Sequence, residues 1–397
     1  MNKLKILLWR SWTPLYDYPA IFSSVDNFNM GGTCNQLLWH ARHLALLGHS
    51  VQVLGISPND AVEEGVDFIG ATTMRAQEEA ISTGRVSKPD IIFLEGGFKA
   101  STLFRNVFPI SKIIHVGQNI DTYGWKDAFA HKELIDLFAF VSPGHLAEYS
   151  VRFPSMRHKF VLIRNIVPWH WVLSKVQVRP ARNRIAWVGA WTKRGLYQWA
   201  QTMQRILNEN PDYEWVLYGP SHGKSHGSYV DRVPGKEIFP GLFFRDGQLI
   251  FRSLPLAALA GELCEARLVL VSLGNETACI SALDAHAMGR PVVSGNDMVF
   301  KYINPEGTGV RVFGSKERYF AVKTLISDPG LCDELGRAGR ELVIQDYSEP
   351  NQSQDIVRVL QYLAVKPKLC GSDAYPPPGK LEESALELVS KIRRRLS

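Results

Sequence analysis

Short, wholly apolar runs recur along this chain with helical stretches between them, and the pattern starts afresh halfway. The first set lies at 5–9, 51–55, 90–94, 112–116 and 137–142, and the second at 184–189, 214–219, 249–251, 267–272 and 291–294. Strands that are apolar at every position, instead of at every second one, are buried on both faces. That is the condition of a parallel sheet with helices packed on each side. Two such sets predict two Rossmann-like domains, divided near 167–171, with ligands received outside the carboxyl ends of the strands. A helix over 34–47 closes on Gly48 before the strand at 51–55, as a helix end favours.

The length of 397 residues is too great for one ordinary core and suits two domains. The expected boundaries are 1–166 for the first, 167–365 for the second and 366–397 for a tail. In the tail, Pro376, Pro377 and Pro378 mark a linker, and Lys380 to Leu396 reads as a helix with an apolar face and a basic end. Such a helix either docks on its own protein or lies on an anionic membrane. No apolar run approaches the roughly 20 residues of a membrane span, and the N-terminal run is cut short by Arg10, so it reads as a buried strand and not a leader. The five cysteines are scattered without paired spacing, a pattern of a reduced cytoplasmic protein without a metal site. A net charge of +6 suits handling of anions, and no basic stripe interleaved with aromatics points to nucleic acid.

The most informative stretch is 273–294. Glu276 and Asp284 stand eight positions apart, followed by Gly289, Arg290, Pro291 and the strand that starts at Val292. It reads as strand end, turn, helix, break and new strand. On a continuous helix that spacing is a little over two turns, so both carboxylates would face the same way and could grip a polyhydroxylated ligand. A solvated helix face carrying two acids is the other reading of the spacing alone.

The run from Asn275 to Val293 resembles the paired-acid signature of the retaining GT-B glycosyltransferases, E-x7-E followed by A-M-A-x-G-x-P-V-V. Here the second acid is Asp284, and Ala278 and Cys279 replace the usual Phe-Gly. The resemblance covers the chain to about residue 362. It implies an α/β GT-B fold, with two Rossmann-like domains facing across a cleft plus a C-terminal helical tail. It further implies transfer of a sugar from a nucleoside diphosphate donor, UDP- or GDP-linked, to a carbohydrate or lipid-linked acceptor hydroxyl with retention at the anomeric carbon. No required metal and no further cofactor is implied. Glu276 would meet the donor sugar and Asp284 the ribose.

Other residues carry the same resemblance. Gly31 and Gly32 match a glycine pair ahead of the first helix, where backbone amides approach a phosphate. His115, which ends a strand in the sequence reading, matches a histidine facing the donor sugar, with Gln118 and Asn119 following. Asn165 falls in the stretch read as structural, carrying the chain between domains. The family's Arg is replaced by Ala190, so Lys193 or Arg194 must supply positive charge to the diphosphate. Gly219, at a strand end, would border the nucleotide base, and the loop 221–227 would cover it. The segment 306–310 reads as a turn. The aromatic loop 10–30 would serve packing or the acceptor side. The alternatives are an inactive nucleotide-binding scaffold of the same fold, to which Ala190 and Asp284 point, and an epimerase or hydrolase acting on the donor alone.

Overall fold

The computed structural model describes residues 3–10, 32–57, 59–71, 73–95, 99–118, 131–165, 167, 182–189, 195–219, 239, 241–252, 254, 256–274 and 276–365. They form two compact units. One comprises the described residues up to 165 together with 352–365, and the other comprises 167–351.

The first unit contains β1 (Lys5–Arg10), α1 (Gly32–Leu46), β2 (Ser50–Leu54), β3 (Ala61–Glu63), β4 (Val66–Ile69), α2 (Met74–Ser82), β5 (Ile91–Glu95), α3 (Lys99–Val107), β6 (Lys112–Gly117), β7 (Leu137–Phe140), α4 (Pro143–Arg152) and β8 (Phe160–Leu162). The strands make one sheet in the order β3-β4-β2-β1-β5-β6-β7-β8, with only β3 antiparallel to its neighbour. All five expected strands are present. Leu7, Trp9, Ile92, Leu94, Ile113, Phe138 and Phe140 belong to one buried cluster, completed by Phe104 and Tyr149. The residues between them, Leu8, Phe93, Ile114 and Ala139, are buried as well, so both faces are covered and the strands have no polar alternation.

Local signals place the helices. Ser142 and Thr73 accept from the backbone N–H groups of His145 and Ala76, capping α4 and α2, and Pro143 opens α4 where its missing N–H costs nothing. Gly48 ends α1 at φ 87°, its N–H bonded to Ala45. Gly55 is needed for a closer reason. A Cβ there would lie 2.5 Å from the Arg10 carbonyl, so β2 leaves the sheet against the end of β1 only as glycine.

The second unit contains β9 (Arg184–Val188), α5 (Leu196–Glu209), β10 (Glu214–Tyr218), β11 (Leu249–Arg252), α6 (Leu256–Glu265), β12 (Leu268–Leu270), α7 (Ile280–Ala287), β13 (Val292–Ser294), α8 (Phe300–Ile303), β14 (Gly309–Arg311), α9 (Ser315–Ser327) and α10 (Pro329–Leu342). Its strands run in the order β11-β10-β9-β12-β13-β14, every pair parallel. Counted from β9 this is the 3-2-1-4-5-6 order of a doubly wound sheet, with the switch point between β9 and β12. Trp187, Trp199 and Trp215 lie within its core at 2% exposure or less. Truncating any one to alanine would cost about 3–5 kcal/mol.

A last helix, α11 (Glu349–Val365), departs from the expected layout. The second domain was expected to run to 365, yet the chain returns to the first unit from Gln352. Asp355, almost fully buried, pairs with the Arg164 guanidinium at 3.4 Å and accepts from the Arg164 backbone N–H. Ile356, Val359 and Leu360 are buried beside it in the chain. The tail, 366–397, lies outside the described residues, and among the described helices none is long and apolar enough to cross a membrane.

Candidate functional site

In the second unit the carboxyl ends of the strands converge at the switch point. Gly189 follows β9, Gly219 follows β10, Ser272 to Gly274 follow β12, and Gly295 follows β13. The β12 exit is held tightly. The Gly295 N–H bonds to the Ser272 carbonyl at 3.1 Å, and the Trp199 indole N–H reaches from α5 to the Val271 carbonyl at 2.8 Å. The Ser272 hydroxyl accepts from the Gly274 N–H and donates to the Gly274 carbonyl, closing a small turn. Leu273 is wedged between two glycines. A Cβ on Gly195 would stand 2.8 Å from its side chain, and one on Gly295 would stand 1.9 Å from its carbonyl oxygen.

This turn delivers Glu276 and Asp284, but not as helical spacing suggests. α7 begins at Ile280, so Glu276 lies in the turn before the helix and only Asp284 rides on it. The break is Cys279, whose backbone adopts φ 29° and ψ 68° ahead of the first helical residue. The argument that both acids face one way along a single helix therefore fails. What survives is that both sit at the exit of β12, each under 9% exposed. Cys279 and Glu64 are the positive-φ residues other than glycine among those described. Such a conformation costs a residue bearing a Cβ on the order of 1–3 kcal/mol. Cys279→Gly is therefore expected to keep the thermal midpoint within about 3 °C of the parent, relief of strain offsetting the lost side chain and the added chain entropy. Cys279→Val, with a branched Cβ, is expected to lose about 2 kcal/mol by denaturant unfolding.

Asp284 is the unusual group. It is 6% exposed, and among the described residues no cation or hydrogen-bond donor reaches its carboxylate. Burial alone pushes it up to about 7. An uncompensated buried carboxylate is expensive, and proteins keep one where a ligand completes it. His286, two positions on, is buried and held well below the usual imidazole range, to about 4, by desolvation. Its ring fills the space a Cβ on Gly339 would occupy, so it packs α7 against α10 and is structural.

The start of α5 adds a positive end. Gly195 precedes it at φ 93° with no side-chain cap, and the N-terminus of such a helix favours an anion. Gly219 donates its N–H to the Arg252 carbonyl at the neighbouring strand end. Lys193 and Arg194, expected on the diphosphate, lie outside the described residues, as do Ala190 and the loop 221–227. In the segment 306–310 a turn at Gly307 and Thr308 leads into the edge strand β14, which starts at Gly309.

In the first unit the switch point falls between β1 and β5. His115 does not end its strand, since β6 continues to Gly117. Its register partners are Leu94 and Phe138, on the face that carries the main core, with the Phe138 ring centroid 6.1 Å away. Desolvation drives it down to about 3, so the ring is neutral and cannot act as a cation. Gly32 is the first residue of α1, as expected of a glycine at a helix start, while Gly31, Asn119 and most of the aromatic loop lie outside the described residues. Sequence reasoning passed over Glu95, the last residue of β5, which is 4% exposed and paired with Arg10. Its signal was present as an acid ending an apolar run at the carboxyl edge of a strand.

Among the described residues no group of three or more His, Cys, Asp or Glu side chains is disposed to hold a metal ion. Cys264, Cys279 and Cys332 are buried free thiols.

No model of a protein family matches the chain, and no curated protein matches it. Solved structures do. A sucrose-phosphate synthase from Thermosynechococcus elongatus superposes with a TM-score of 0.68 at 16% identity, over 91% of this chain and 99% of that one. A glycosyltransferase from Rickettsia africae gives 0.65 at 15% identity, over 92% and 100%. HepE of Anabaena, crystallised with UDP and glucose, gives 0.64 at 12% identity, over 90% and 99%. The two parallel-sheet α/β units are those of the GT-B fold, and this chain has that fold.

Proposed function

We propose that this protein is a glycosyltransferase that moves a sugar from a nucleoside diphosphate donor, UDP- or GDP-linked, to an acceptor hydroxyl with retention at the anomeric carbon. The observation that carries the reading is Asp284. A buried carboxylate with no partner among the described residues, one helix turn inside the switch point of a 3-2-1-4-5-6 sheet, suits donors from a ligand, and vicinal hydroxyls supply two at once. Ribose offers such a pair. Glu276, earlier on the same β12 exit, takes hydroxyls of the donor sugar. The N-terminus of α5, with Lys193 or Arg194, receives the diphosphate and stabilises the charge that grows on the leaving group. In this reading the phosphate needs no metal, and the acceptor proton leaves on a phosphate oxygen. His115, neutral, contributes at most a hydrogen bond. Crystals of HepE with UDP, with UDP and glucose, and with UDP-glucose add support by likeness of fold. Polysaccharide or glycoconjugate synthesis in the cytoplasm is the setting this chemistry fits.

The test is release of nucleoside diphosphate from a panel of UDP-, GDP-, ADP- and TDP-sugars, for the parent chain and for Glu276→Ala. One donor is expected to be turned over, with the variant at least about 100-fold slower, the scale of losing a group that acts in the transition state. Nucleotide binding without release from any donor would favour the scaffold. Donor conversion at an undiminished rate with no acceptor present would favour the epimerase or hydrolase.

A further inference from the structure

Three tryptophans share the core of the second unit, and their indole N–H groups differ in what they meet. Trp199 on α5 donates to the Val271 carbonyl at 2.8 Å. Trp215 has no acceptor among the described residues, but it lies in the amino half of β10, in register with Ile185 and stacked on Phe239 at 5.8 Å. Trp187 also has no acceptor among the described residues, and its place is different. It is 2% exposed and stands two residues nearer the carboxyl edge, on β9 at the switch point, with Leu217 and Leu270 as register partners. A Cβ built on Gly189 would stand 3.8 Å from its indole nitrogen and, chain neighbours aside, would meet no other described atom within 4 Å. The indole nitrogen therefore lies at the end of β9, beside a space that Gly189, at φ 141°, leaves clear.

That end of β9 is also where α5 begins. β9 and β10 are adjacent and parallel, so the helix that joins them starts at the carboxyl edge and runs back. Trp187 belongs to the same buried cluster as Leu196 and Trp199, so its ring lies on the face of the sheet that α5 covers. The positive end of this 14-residue helix and the unmet indole donor thus share one corner of the sheet.

We propose that the Trp187 indole N–H donates to a phosphate oxygen of the nucleotide held at the start of α5, which makes Trp187 a binding residue for the leaving group. The inference deepens the transferase reading and rests on it for the identity of the ligand. Buried polar groups are nearly always paired, and phenylalanine would fill this place in the core with no donor left to satisfy. Chemistry selects the phosphate. An indole can only donate, and an ionised phosphate oxygen only accepts, whereas hydroxyls suit Asp284, which as a carboxylate only accepts. The two contacts also divide the work. The helix end attracts the anion as a whole, while one uncharged N–H fixes the direction of a single oxygen.

Proton–nitrogen NMR of the indoles tests it on the full chain. There are 10 tryptophans, and the Trp187 signal is the one missing from Trp187→Phe. UDP, GDP, ADP and TDP are the probes, each beside its nucleoside at saturating concentration. The nucleoside diphosphate that binds is expected to move the Trp187 indole proton downfield further than any other indole, and its nucleoside to leave that signal in place. In calorimetric titration Trp187→Phe should bind the same nucleoside diphosphate about tenfold more weakly, the scale of one hydrogen bond to a charged group. The thermal midpoint shows whether the variant is folded. If it is not, the signal is assigned through the backbone resonances of the parent chain, and its response decides. An unmoved Trp187 signal with nucleoside diphosphate bound, an equal shift with the nucleoside, or equal binding by folded Trp187→Phe would each overturn the proposal and leave the transferase reading standing. Binding of no nucleoside diphosphate at all would overturn both. A Trp187 signal that answers to a nucleoside diphosphate, in a chain that turns over no donor, would sink the transferase reading and keep the phosphate contact.

Discussion

Asp284→Asn is expected to make the chain more stable at about pH 8 and, at the same time, a poorer binder of its ligand. Burial raises the folded-state value of Asp284 to about 7, far above its ordinary 3.8. The folded chain therefore keeps a proton that the unfolded chain releases above about pH 4. The stability that this proton confers is complete below that point and drains away as pH rises towards 7, after which the folded state holds a bare buried charge. Each tenfold of mismatch is worth about 1.4 kcal/mol. Asparagine has nearly the same shape and no charge to lose. The variant's advantage should accordingly grow by on the order of 3 kcal/mol between about pH 5 and pH 8. For a unit of this size that is roughly 6–12 °C in thermal midpoint. Scanning calorimetry of both proteins at the two pH values measures it, and a gap that does not change with pH would show that Asp284 does not titrate in this range.

The second half of the same prediction concerns the ligand. Hydroxyls donating to Asp284 favour its charged form, so binding near neutral pH should expel a proton. Calorimetric titration of the nucleotide in two buffers of different ionisation enthalpy reads that proton directly. In Asp284→Asn the proton release should vanish and affinity fall by about 10- to 100-fold, the cost of leaving ligand hydroxyls without their acceptor. A group that weakens the fold and strengthens the complex is the pattern of a residue kept for function.

How much of this was legible in the sequence depends on whether the signal was local. The ten strands announced by apolar runs are all present, because burial on both faces writes itself into every residue of the run. Four of the short strands, β3, β4, β8 and β14, were not seen, since a run of three or four residues carries no period of its own. The hairpin of β3 and β4 turns on Glu64 and Gly65, a pair visible only once Val66 and Phe68 are known to face a core. At the site, identity was readable and geometry was not. Glu276 and Asp284 were picked out by type and spacing, but the left-handed backbone at Cys279 took Glu276 off the helix, and nothing about cysteine signals that conformation. Glu95 and Arg10 lie 85 positions apart, and only the register of β1 against β5 makes them neighbours. The return of α11 to the first unit likewise depends on the Arg164–Asp355 pair, a contact 191 positions long.

The largest loss of stability is expected from one of the smallest changes, Gly295→Ala. The new methyl group would lie 1.9 Å from the Leu273 carbonyl oxygen, 2.3 Å from its carbon and 2.8 Å from its Cα. These are backbone atoms, so no side-chain rotation relieves the overlap. The turn at 272–274 must move away, and three restraints oppose it. The Gly295 N–H to Ser272 bond joins the two strand ends, the Trp199 indole holds the Val271 carbonyl, and the Leu273 side chain is already against Gly195. Forced overpacking of this kind costs about 3 kcal/mol or more, which for a unit of this size lowers the thermal midpoint by about 6–12 °C. Gly261, exposed on α6 with nothing within 4 Å of its Cβ position, is the matched control. There the same substitution should raise stability by about 0.5–1 kcal/mol, because alanine suits a helix interior and narrows the unfolded ensemble. Denaturant unfolding of the two variants sets one against the other. If Gly295→Ala proves as mild as Gly261→Ala, the β12 exit is free to shift, and the close fit around Leu273 is not what holds the site together. If the expected loss appears, a folded remnant at low temperature should still have lost nucleotide binding, because Glu276 lies only three residues beyond Leu273 in the chain and would be carried with it.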